Sequence, residues 1–130
     1  MWQADFDRII EENREEMLRF LGDLVACELP SSDWGPGRNA QELISDFLTD
    51  LGFSVTKDFP VTPDQEDPLH YAERWSVVGF LKGQGSGPSL ALNSHADVVG
   101  IGDPGKWKHA PRGCTLEDGR VYGRGVIDAR

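Results

Sequence analysis

Residues 89–99 read SLALNSHADVV, and this stretch decides the reading of the fold. It begins as a nearly continuous apolar run, Leu90-Ala91-Leu92, and passes at Asn93 into the polar pattern Ser94-His95-Ala96-Asp97. A short unbroken apolar run of this kind suits a central strand buried on both faces. It places an imidazole and a carboxylate at the C-terminal end of that strand, where open α/β sheets carry their sites. Residues two apart on an extended backbone point the same way, so Asp97 is expected beside His95. A carboxylate there accepts one ring N–H, fixes the tautomer and leaves the other nitrogen as a metal ligand.

Working outward, the segments before this strand read as scaffold. From Asp5 to about Cys27 the apolar residues Phe6, Ile9, Ile10, Met17, Phe20, Leu21, Leu24 and Val25 fall on one stripe of a helix. Asp5 and Asp7 suit its positive end, and Pro30 with Ser31 and Ser32 stops it. A second helix follows, with Asn39 as cap and Glu42 three positions on, ahead of Leu43, Ile44, Phe47, Leu48 and Leu51, and Gly52 ends it. Residues 53–59 and 75–81 read as strands, 60–68 as an acidic loop, and 120–122 as a last short strand. Helices alternating with strands give an α/β class, with one domain for 130 residues.

His-x-Asp alone is commonly a surface hydrogen-bonded pair. A second motif changes its weight. Residues 122–130, YGRGVIDAR, hold closely spaced glycines that permit unusual backbone angles, and then present Asp128. Arg124 inside this run suits hydrogen bonds to backbone carbonyls that hold Asp128. Of the remaining candidates, His70 and His109 read as exposed loop histidines, Cys114 as an inert thiol, and Trp107 as loop packing at least as much as a cleft wall.

The stretch SLALNSHADVV, followed by Trp107, Pro111, Asp118-Gly119 and YGRGVIDAR, resembles the first two signature blocks of the zinc-dependent deacylases and exopeptidases. That family includes acetylornithine deacetylase, succinyl-diaminopimelate desuccinylase, aminoacylase, carnosine dipeptidase and the glutamate-releasing carboxypeptidases. The resemblance implies that His95 is a ligand of one zinc, Asp97 its orienting catalytic neighbour, and Asp128 the carboxylate bridging two zinc ions, with cobalt or manganese as possible substitutes. It further implies hydrolysis of amide bonds in acyl-amino acids or small peptides. The implied fold is the N-terminal part of a three-layer α/β/α catalytic domain with a mixed sheet, spanning residues 1–130. An inserted dimerisation domain would come later, and the parent would be a homodimer. A Glu-Glu pair, a further acidic ligand and a distant His would also lie beyond Arg130, so this chain alone is expected to be inactive. Arg130 stands where many relatives have Lys, and Arg112 where an aromatic residue is common. A reading from another class is a non-catalytic binding or interaction fragment, or a truncated gene product.

The totals agree with a soluble globular protein: 38% hydrophobic and 27% charged residues suit a packed core. A formal net charge of -9 disfavours sequence-independent binding to nucleic acid or to anionic membranes. The acidic pairs Glu11-Glu12 and Glu15-Glu16 read as a solvated helix face. Cys27 and Cys114 have no CxxC spacing, so free thiols are expected. The N-terminus lacks the basic start and apolar run of a signal peptide, giving a cytoplasmic expectation.

Overall fold

A computed structural model describes residues 2–27, 38–58 and 75–128. The elements are α1 (Trp2–Ala26), α2 (Arg38–Asp50), β1 (Ser54–Asp58), β2 (Ser76–Phe80), a 3₁₀ turn (Pro104–Lys106), β3 (Thr115–Glu117) and β4 (Arg120–Tyr122). The mixture is α/β, with two antiparallel two-stranded sheets, β1-β2 and β3-β4. The chain divides into two compact units: residues 1–27 with 101–128, and residues 28–100.

In the first unit, α1 buries Leu24 and Val25 in its last turns, while Phe6, Ile9 and Met17 earlier on the same stripe are exposed. The outer face is charged as expected, with Arg8 and Glu12 paired at 2.9 Å one turn apart. The buried end of α1 needs small neighbours. A Cβ on Gly123 would stand 3.1 Å from Cγ1 of both Val25 and Val126, so glycine is what lets the 123–126 turn approach the helix.

The β3-β4 hairpin pairs Thr115 with Tyr122 and Glu117 with Arg120. Asp118 and Gly119 connect them, both with positive φ, the backbone twist that a two-residue hairpin loop requires. Only the last strand of this hairpin was expected from sequence. Before it, the Asp103 carboxylate accepts from the Gly105 N–H at 2.9 Å and caps the 3₁₀ turn.

In the second unit, α2 ends as its sequence predicts. Gly52 has φ +85, its N–H reaches Thr49 O at 2.9 Å, and the Phe53 N–H reaches Leu48 O at 3.0 Å. This double bond pattern closes the helix end and brings Phe53 back over Leu48. Both side chains then cover Gly79 of β2, where a Cβ would stand 3.0 Å from Leu48 Cδ1 and 3.2 Å from Phe53 Cδ1. β1 pairs β2 antiparallel from Ser54 opposite Phe80 to Asp58 opposite Ser76. Trp75 is buried just before β2, with the Lys57 ammonium 4.1 Å from its ring centre. Asn39 lies inside α2 rather than at its cap, a shift of the kind common at helix ends.

The structure departs most from expectation at residues 89–93. This run belongs to neither sheet, and Leu90 and Leu92 are 84% and 89% exposed. An extended segment becomes a strand only through lateral hydrogen bonds, and neither described sheet extends to it. Pro30 to Ser32, the acidic loop at 60–68 and His70 lie outside the described residues. No helix among the described residues is long and apolar enough to cross a membrane.

Candidate functional site

His95 and Asp97 follow the unpaired segment in the second unit, with Val98 buried directly after them. The ring nitrogen Nδ1 of His95 lies 3.1 Å from the Asp97 carbonyl oxygen and 3.3 Å from its Oδ1. Both of these atoms only accept hydrogen bonds, so Nδ1 is the donor in this contact. This is the juxtaposition expected from the two-residue spacing, reached here by a local turn to the main chain as well as to the carboxylate. Both side chains are substantially exposed.

Asp128 lies in the first unit, at the end of the loop that leaves β4. Gly125 has φ +80, and its carbonyl accepts the Asp128 N–H at 3.2 Å, so one turn carries the chain from Gly125 to Asp128. The glycine that the sequence singled out is thus required by its backbone angle. Arg124, directly before it, is only 3% exposed. Its Nη2 donates to Cys27 O at 3.2 Å, and its own N–H to Pro111 O at 2.6 Å. Burial, and secondarily the charge of Arg112, lowers its pKa from the ordinary arginine value. The expected bond from Arg124 to a backbone carbonyl is present.

A charged cluster that sequence reasoning missed sits on the β3-β4 hairpin. Glu117 accepts from Lys108 Nζ, and its Oε2 lies 3.1 Å from His109 Nε2. The Lys108 bond chiefly, with the charge and bond of His109, holds the Glu117 carboxyl below the usual range against a smaller opposing effect of burial. The His109 side chain is 17% exposed and stacks at 4.6 Å on Tyr122, which corrects its reading as an exposed loop histidine. A shallow, largely apolar recess beside it is lined by Trp107, Tyr122, Val126 and Ile127 among others. Trp107 itself donates from Nε1 to Ile101 O at 2.8 Å, which ties down the loop. Cys114 is a free thiol whose pKa burial raises, in keeping with an inert group, and the Cys27 Sγ donates to Asp23 O at 3.2 Å. Among the described residues, no three His, Cys, Asp or Glu side chains group closely enough to hold a metal ion.

No family model matches the chain. It is 34% identical over 126 residues to N-formyl-4-amino-5-aminomethyl-2-methylpyrimidine deformylase of Bacillus subtilis, a match covering 93% of this chain and 26% of that protein. It is 37% identical over 121 residues to succinyl-diaminopimelate desuccinylase of Methylobacterium nodulans, covering 91% of this chain and 27% of that protein. The chain belongs to the deacylase and peptidase family of these proteins. A desuccinylase of Ruegeria sp., 31% identical over 113 residues, is a further relative. The matched members of this family are hydrolases by name, deformylases and desuccinylases. The chain spans about a quarter of the length of these curated relatives. The matches cover most of the chain, so membership rests on the scaffold helices and strands as well as on the two motifs.

Proposed function

We propose that these residues form the N-terminal part of the catalytic domain of a metal-dependent hydrolase that cleaves amide bonds in acyl-amino acids or small peptides. The observation that carries the reading is the pair of acceptors on His95 Nδ1, 3.1 and 3.3 Å away, the arrangement by which a second residue orients a metal-ligating histidine. The donor set suits zinc, with cobalt or manganese as substitutes. His95 offers an imidazole nitrogen, Asp97 holds the ring in place through Nδ1, and Asp128 offers two carboxylate oxygens able to hold two cations. When bound, such ions polarise an amide carbonyl and lower the pKa of water. Asp97 is in this scheme the orienting residue.

The acidic pairs of α1 are poor candidates for a general base. Glu12 and Glu16 face arginines on the exposed side of the helix, far from any catalytic motif in sequence. The reading therefore assigns proton relay, and the remaining ligands, to a Glu pair and further residues outside these 130. It also assigns residues 89–93 to an inner strand of a three-layer α/β/α domain, in a homodimeric cytoplasmic parent.

The test is metal analysis and a substrate panel on a protein that continues these residues to the length of the curated relatives. The expected result is bound divalent metal and turnover of N-acyl-amino acids or dipeptides, with activity lost by several orders of magnitude in Asp128→Ala. Near-normal turnover in that variant would overturn the bridging role.

A further inference from the structure

We propose that the recess beside β4 binds a small carboxylate with an apolar body, and that Lys108 recognises its charged end. Its meaning as a substrate subsite, favouring acyl-amino acids with apolar side chains, rests on the reading of Asp128 given above; the binding itself is argued from the first unit alone.

The walls of the recess are apolar. Trp107, Tyr122, Val126 and Ile127 supply them around a volume of about 260 Å³, which suits a small molecule rather than a folded partner. Two of these walls are fixed by their own contacts: Trp107 donates from Nε1 to Ile101 O at 2.8 Å, and Tyr122 carries the His109 ring at 4.6 Å. Ile127, by contrast, is 96% exposed, so a ligand seated here covers apolar surface that the described residues leave to water. The lining reaches the residue before Asp128, which is what connects the recess to the proposed metal ligands.

The charge on the lining has one sign. Lys108 and His109 belong to it and, among the described residues, no carboxylate does. That stands out in a chain of net charge -9. Lys108 is steered to this place by its bond to Glu117 and by the Tyr122 ring, whose centre lies 5.7 Å from Nζ. An ammonium carries three donors, and the Glu117 bond takes one of them. Glu117 is itself shared, because the same oxygen, Oε2, lies 3.1 Å from His109 Nε2. An anionic head entering the recess therefore meets an ammonium and no lining anion, whereas a cationic head meets a like charge.

The experiment is calorimetric titration of a protein that continues these residues to the length of the curated relatives, stripped of metal so that no probe binds through an ion. The probes are phenylbutyrate and its neutral counterpart phenylbutanol, on wild type, Lys108→Met and Ile127→Glu. Wild type is expected to bind the acid more tightly than the alcohol. Lys108→Met keeps much of the stem and removes the charge; because the ammonium is largely exposed, it is expected to weaken the acid roughly fivefold and to leave the alcohol within about twofold. Ile127→Glu, at a site too exposed to disturb packing, is expected to weaken the acid roughly tenfold by removing apolar contact and adding a like charge. Acid affinity within about twofold of wild type in either variant would overturn the proposal. So would equal affinity for acid and alcohol, or a Lys108→Met variant that weakens both alike. Absence of binding would mean that residues beyond these 130 fill the recess, and would overturn it too. The comparison of the two probes on wild type stands even if a variant fails to fold. Metal plays no part in the readout, so failure here leaves the ligand reading of Asp128 untouched.

Discussion

Replacing Asp97 with alanine separates its two contributions to His95. The imidazole Nδ1 has two acceptors from one residue, the carbonyl at 3.1 Å and Oδ1 at 3.3 Å, and the substitution removes only the second. Loss of a partner behind a ligating histidine typically costs 10–100-fold in metal affinity. Two features place this case at the low end. The main-chain acceptor survives, so the tautomer stays biased toward Nδ1–H, and both side chains are open to water, which screens the lost charge. The expected loss is about tenfold, or about 1.4 kcal/mol. The assay is zinc titration of a protein that continues these residues to the length of the curated relatives, followed at the His95 ring protons by NMR at fixed ionic strength. Affinity within twofold of wild type would refute the orienting role of the carboxylate. A loss beyond a hundredfold would refute the account of the surviving carbonyl.

Other outcomes follow from the same structure. Val25→Ala removes two methyl equivalents from a fully buried site on α1; at about 0.8 kcal/mol each plus a cavity term, less the better helix propensity of Ala, urea unfolding is expected to show a loss of about 2 kcal/mol, and a loss under about 0.5 kcal/mol would contradict the packing of the 123–126 turn on α1. Glu117 is held ionised below its ordinary range, so its contribution is present above the unfolded-state pKa and disappears as pH falls through the lower folded value. Glu117→Gln is accordingly expected to accelerate amide exchange in the β3-β4 hairpin near neutral pH and to match wild type once the pH is well below 4; a difference that persists in acid would show that the ion pairs with Lys108 and His109 are not its source. The 130-residue chain with added zinc or cobalt is expected to show no amide hydrolysis, and turnover that His95→Ala abolishes would sink that expectation.

Much of this was legible in the sequence for identifiable reasons. The end of α2 was readable because Gly52 at φ +85 and the return of Phe53 over Leu48 are local chemistry written within six residues. The His95–Asp97 contact was readable for the same reason. Residues 89–93 were not, because apolar composition predicts a buried strand only if neighbours supply hydrogen bonds, and Leu90 and Leu92 stand exposed beside neither described sheet. The cluster of Lys108, His109 and Glu117 escaped notice because its members lie up to nine residues apart and meet only when the chain between them turns at Ala110 to Gly113. The Asp-Gly pair was a usable signal, but strands of three residues are too short to show alternation. Arg124 was readable as a carbonyl donor, though not as a buried anchor.

The central proposal, that His95 and Asp128 are metal ligands, is tested most directly by adding paramagnetic manganese to an isotope-labelled protein that continues these residues to the length of the curated relatives, and recording which resonances of residues 1–130 broaden first. The account predicts early and selective broadening at His95 and Asp128, ahead of the many exposed carboxylates of α1. Broadening spread along Glu11, Glu12, Glu15 and Glu16, with His95 and Asp128 unaffected, would contradict it.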